Sequence, residues 1–123
     1  MKDLTLVFET DLLGHRLEYI HHYYMGAIKN SQMEYLFYVP DIFKELKGKY
    51  EWPQAQNVKF AFLTNEQEKS YANKSPLLYC YNISKLLNKI VRQVKPDKVL
   101  LTTLITYIPF IMTLIPSVYR QRF

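Results

Sequence analysis

The run Glu9-Thr-Asp-Leu-Leu-Gly14-His15 gathers the residues best placed to bind a ligand or move a proton. An imidazole beside a glycine, with Glu9 and Asp11 just upstream, can hold a hydroxyl or act as a base. Gly14 would let a ligand approach the backbone closely. It could equally serve only to shape a turn, with His15 solvated beside it. Thr102, Thr103 and Thr106 follow an apolar run, and their hydroxyls could meet a polar ligand or simply cap a following helix. Glu18 is read as an acid that favours the positive end of a helix. His21 and His22 are adjacent and face different directions on a helix, so no metal site is expected. The spacing GxGxxG is absent, and no Gly-Lys-Ser/Thr follows the loop. No nucleophile elbow, paired catalytic carboxylates or cysteine–histidine pair is present either.

These residues need a frame. Residues 4–8 form a continuous apolar run, as expected of a central parallel strand covered on both faces. Residues 15–30 carry Leu17, Ile20, Tyr24, Ala27 and Ile28 at helical spacing. Residues 33–39 read as a second strand ended by Pro40, and Asp41 as the cap of a short helix stopped by Gly48. Residues 50–57 read as a loop around Trp52-Pro53, residues 58–63 as a third strand and the polar stretch 64–75 as a surface loop. Ser75-Pro76 starts a long helix to Val94, with Leu78, Ile83, Leu86, Leu87, Ile90 and Val94 inward. Lys95-Pro96-Asp97 leads into a fourth strand at 99–102, and residues 107–117 read as a last helix. Strands alternating with helices predict an α/β fold, a three-layer Rossmann-like domain with a mostly parallel sheet of about four strands. In that frame the loops at 9–15 and 102–106 share the carboxyl edge, where open α/β sheets bind ligands.

Composition narrows the classes. A chain of 123 residues, 49% hydrophobic, is expected to form one domain with a real core, spanning 1–123. The formal charge of +5 suits anionic partners, but no basic-aromatic nucleic-acid motif appears and no nucleic acid is expected. Lys44, Lys47 and Lys49 cluster, as do Lys85, Lys89, Arg92, Lys95 and Lys98, the second set read as the outer face of one helix. Eleven tyrosines suit sugar or protein surfaces, or else fill half-buried helix faces. The single Cys80 allows no internal disulfide and fits a reducing cytoplasm, where it is read as a small core residue. Residues 99–119 hold no charge, yet Pro109, Pro116 and four threonines divide them better into strand, loop and helix than into a membrane span.

Gly14-His15, Glu18-Tyr19, and Val99-Leu-Leu-Thr102-Thr103 after Lys95-Pro96-Asp97 together resemble the N-terminal domain of glycosyltransferases of the GT-B fold. The likeness is to the large retaining, nucleotide-sugar-dependent group, family-4-like, and spans essentially the whole chain. It implies two Rossmann-like domains. The N-terminal one mainly binds the acceptor, and its first loop approaches the donor phosphates. The C-terminal one binds the nucleotide-sugar donor and carries a paired-glutamate motif, which nothing here matches. The resemblance therefore implies an N-terminal piece, not catalytic alone, with the donor-binding domain missing and no cofactor bound by this domain by itself. Gly14 and His15 carry over as ligand contacts, and Glu9, Asp11, Thr102 and Thr103 join them by position. The family often has two glycines in the first loop where this chain has one, which counts against close phosphate contact. The implied partner is a glycan or lipid-linked acceptor, with peripheral membrane contact.

Two other readings stand beside this one. A stand-alone flavodoxin-like binding or signalling module would need no second domain. Its receiver variant wants acids after the first strand, which Glu9 and Asp11 partly supply, and an aspartate after the third, where Leu63-Thr-Asn65 stands. The other is a membrane-anchored fragment using residues 99–119.

Overall fold

The computed structural model describes residues 3–72 and 75–101. Four strands, β1 (Asp3–Phe8), β2 (Met33–Val39), β3 (Val58–Phe62) and β4 (Lys98–Leu101), form one sheet in the order β3-β2-β1-β4. All three pairings are parallel. The helices are α1 (Arg16–Lys29), α2 (Phe43–Leu46), α3 (Asn65–Tyr71) and α4 (Pro76–Val94), and α2 runs on into a 3-10 turn at Lys47–Lys49. This is the expected α/β Rossmann-like fold.

Strand alternation sends neighbouring side chains to opposite faces. Val7, Phe37 and Val39 pack under α1 with Leu17, Ile20, Tyr24 and Ala27. Leu6, Phe8, Val99 and Leu101 pack under α4 with Ile83, Leu87, Ile90 and Val91. Both faces are covered, which is why β1 ends on the apolar run Leu6-Val7-Phe8.

The chain steps from β1 through β2 to β3 in one direction, then crosses back to β4 on the far side of β1. Right-handed crossovers in opposite directions put α1 and α4 on opposite faces. The reversal falls between β1 and β4. That is the dinucleotide-type strand order, not the flavodoxin-like one, in which β3 lies next to β1. The flavodoxin-like arrangement is thus corrected: β3 pairs with β2.

Asp97 explains the Lys-Pro-Asp turn. Its carboxylate accepts the Leu4 N–H at 2.8 Å and its own N–H donates to the Leu4 carbonyl at 2.8 Å. This clamp sets the register in which Thr5 meets Lys98. Lys95 takes the left-handed turn at φ 55° that ends α4. Asn57 makes a second clamp, its amide donating to the carbonyls of Ala27, Asn30 and Met33 at 3.0–3.1 Å.

Several local expectations change. Residues 65–71 are helical, because Thr64 and Gln67 form a reciprocal capping box. Leu78 is exposed, since five residues before Ile83 is about 140° around a helix from the packed stripe. Asp41 does not cap α2, whose first flanking residue is Ile42; it pairs instead with Lys44 at 2.9 Å. Gly48 lies inside the 3-10 turn, not at a stop. Strand β4 starts at Lys98, so that lysine is not on the helix with Lys85, Lys89 and Arg92, although all of these are exposed. Cys80 lies half-buried on α4. The expected helix at 107–117 lies outside the described residues, as do Thr102, Thr103 and Thr106. No helix among the described residues is long and apolar enough to cross a membrane.

Candidate functional site

The loop after β1 leaves the sheet at the carboxyl edge, beside the strand-order reversal. Phe8 pairs with Leu101, so β1 and β4 end together at that edge. Leu101, the last described residue of β4, therefore pairs with the residue just before Glu9.

Glu9 is fully buried. Its carboxylate turns back on its own loop and accepts the N–H of Thr10 at 2.7 Å and of Asp11 at 3.1 Å. Its backbone N–H donates to the Tyr38 carbonyl at 3.1 Å, continuing the β1–β2 ladder past Phe8. Asp11 repeats the pattern one step on. One oxygen accepts the Leu13 N–H at 2.9 Å, and the other meets the Arg16 guanidinium at 3.2 Å. Three loop N–H groups are thus bound to the chain's own carboxylates. A free N–H cradle for a phosphate, as a loop-to-helix junction can provide, is already filled by anions here.

Gly14 adopts φ +65°, the left-handed turn that a side chain resists, with open space where a Cβ would stand. The turn alone accounts for the glycine. His15 follows at the N-terminal flank of α1, without a side-chain capping bond. It is exposed, and its Nδ1 lies 3.3 Å from a Glu18 carboxylate oxygen. His15 and Glu18, with Tyr19 and His22, line a hollow of about 390 Å³. On the sequence His15 reads as a site residue and Glu18 as a dipole partner; their spacing of three residues on a helix is what lets them meet. His21 points elsewhere: its ring stacks on Tyr50 at 4.6 Å and its Nε2 lies 2.9 Å from the Glu51 carbonyl oxygen. Among the described residues no group of three or more His, Cys, Asp or Glu could hold a metal ion.

The other wall of the loop comes from residues with no sequence signal. Tyr71, buried at the end of α3, donates its hydroxyl to the Thr10 carbonyl at 3.1 Å. The Tyr79 hydroxyl on α4 lies 3.4 Å from Thr10 Oγ1. Burial raises the pKa of Tyr24, whose hydroxyl donates to the Pro53 carbonyl. Tyr24, Phe43 and His21 surround the Trp52 ring at centroid distances of 4.9–5.1 Å and hold the 50–57 loop down. Of the nine described tyrosines only Tyr19, Tyr23 and Tyr81 are exposed, so most serve packing.

Among the candidates, then, Glu9 and Asp11 hold the loop's shape, Gly14 makes its turn, and His15 is presented to solvent beside Glu18. No protein-family model, curated protein or solved structure matches this chain.

Proposed function

We propose that this domain is the acceptor-side, N-terminal half of a glycosyltransferase. It works in the cytoplasm with peripheral membrane contact, moving sugar from a nucleotide-sugar to a glycan or lipid-linked acceptor. A second, donor-binding domain completes it. The observation that carries this reading is the anion-filled loop at the strand-order reversal. Carboxylates on the N–H groups of Thr10, Asp11 and Leu13 disfavour a phosphate there. A neutral, hydroxyl-rich ligand suits the hollow on α1 that follows this loop, with His15 and Glu18 as its hydrogen-bonding groups. The dinucleotide-type strand order and the Lys-Pro-Asp clamp support the resemblance that first raised the idea.

Titration of the chain with nucleotide-sugars is the direct test. The expected result is no binding tighter than about 1 mM, with tight binding by a chain that includes a second α/β domain. In that two-domain protein His15→Ala lowers transfer without lowering Tm. Tight nucleotide-sugar binding by residues 1–123 alone, or unchanged transfer in the variant, would sink the proposal.

A further inference from the structure

Helices α3 and α4 leave a hollow of about 430 Å³ between them. Its two walls differ in chemistry. On the α4 side stand Lys85, Lys89 and Asn82, beside the buried Leu86. On the α3 side stand Glu66, Gln67 and Ser70. Lys85, Lys89, Glu66 and Ser70 are all exposed, so both walls are open to a ligand. With α4, the hollow lies across the sheet from α1, away from His15 and Glu18. The walls are already fixed. Asn82 Nδ2 donates to the Ser70 carbonyl at 2.8 Å and ties α4 to the end of α3. The reciprocal bonds of Thr64 and Gln67 hold the other end, and Tyr71 packs edge-on against Tyr79. Little ordering is left for a ligand to impose.

Lys85 and Lys89 are four residues apart on one helix, where like charges repel, and Arg92 extends the row. Among the described residues neither lysine is in an ion pair. The Lys85 ammonium lies 5.5 Å from the Tyr81 ring centroid, an exposed contact that a flexible side chain readily exchanges for an anion. Amide donors remain as well. Asn82 uses one of its two side-chain N–H bonds on Ser70, and Gln67 takes the Thr64 N–H on its oxygen, which leaves its own amide hydrogens free to donate. Two ammonium groups and an amide on one wall suit an oxyanion. The facing wall suits hydroxyls. The Glu66 carboxylate accepts their hydrogens, and so does Ser70 Oγ, whose own hydrogen goes to the Gln67 carbonyl at 2.6 Å. The hollow is larger than a bare phosphate fills and falls among the sizes of small-ligand sites, roughly 300–1,000 Å³. From these two facing walls we infer that the protein binds a phosphomonoester of a small polyol. Lys85 and Lys89 hold the phosphate, and the hydroxyls turn toward Glu66 and Ser70. This site is separate from the hollow on α1 and does not rest on the acceptor-side reading.

Isothermal titration of the full chain in low-salt buffer tests it, with glycerol 3-phosphate, inorganic phosphate and glycerol as probes. Glycerol 3-phosphate is expected to bind with a Kd of about 1 mM or tighter, and at least ~3-fold more tightly than inorganic phosphate or glycerol. Lys85→Gln and Lys89→Gln, both at exposed positions, each weaken it ~5-fold or more while Tm stays level. Arg92→Gln removes a cation from the same row but outside the hollow, and is expected to weaken binding less than ~2-fold. Hydrogen exchange slows at residues 64–71 when the ester binds. A Kd weaker than this overturns the inference, and so does inorganic phosphate or glycerol binding as tightly as the ester. Binding that survives both lysine substitutions overturns it too. A loss in Arg92→Gln as large as in the lysine variants would mean diffuse attraction to the row rather than a site, and exchange protection confined to other segments would place the ligand elsewhere; either result ends the proposal.

Discussion

The Tyr71 hydroxyl donates to the Thr10 carbonyl at 3.1 Å, joining residues 61 positions apart. Tyr71 ends α3 and Thr10 belongs to the loop after β1, so a helix that follows the edge strand β3 buttresses the candidate site. The same tyrosine packs its ring edge-on against Tyr79 at 5.8 Å, tying α3 to α4 as well.

Tyr71→Phe keeps the ring packing and deletes this hydrogen bond. The expected cost is about 1 kcal/mol, the ordinary net worth of one such bond. Urea denaturation reads the stability change, and hydrogen exchange at residues 9–13 should accelerate. Unchanged exchange in that loop would mean that Tyr71 does not hold it.

Asn57 is the only described buried asparagine, and its amide donates to three carbonyls that end α1 and begin β2. Asn57→Asp removes the donors and puts a carboxylate against those carbonyls. A loss of about 2–3 kcal/mol is expected. Equilibrium unfolding that shows less than half of this would remove Asn57 as a clamp.

Burial, and then the Asp41 charge, pushes the Glu68 carboxyl above its ordinary pKa, while a backbone hydrogen bond from Asp41 acts the other way. The folded chain therefore holds this proton more tightly than the unfolded chain does. The resulting stabilisation is full below the ordinary glutamate range, around pH 4, and is lost as pH rises through the raised value. Glu68→Gln should raise Tm at neutral pH and leave it unchanged under acid. Thermal melts of both chains at the two pH values check the sign, and an equal shift at both would refute the assignment.

Two glycines should respond in opposite directions. Gly14→Ala forces a side chain into φ +65° and is expected to cost about 1 kcal/mol. Gly26→Ala adds a methyl into open space within α1 and is expected to stabilise by about 0.5–1 kcal/mol. Measuring both in one denaturant series separates a backbone requirement from a spatial vacancy.

Much of the frame could be read from local pattern. The spacing of Leu17, Ile20, Tyr24 and Ala27 marked α1 and its packed face, and the unbroken run at Leu6, Val7 and Phe8 marked a strand covered on both sides. Helix α3 was legible too, through Thr64 and Gln67, but the charged residues between and after them read as loop. Local polarity outweighed a capping signal that is equally local.

Periodicity and capping act between residues a few positions apart, so the type and approximate bounds of the four strands and of α1, α2 and α4 follow from the chain alone. Strand order does not, because pairing β3 with β2 and β4 with β1 depends on which distant edges meet and on crossover handedness. Nor does the fate of a carboxylate. Glu9 and Asp11 read as ligand groups, and only the folded loop turns Glu9 inward onto Thr10 and Asp11, and Asp11 onto Leu13 and Arg16. A buried acid must find donors at short range, and which donors are within reach is settled when the backbone closes around it.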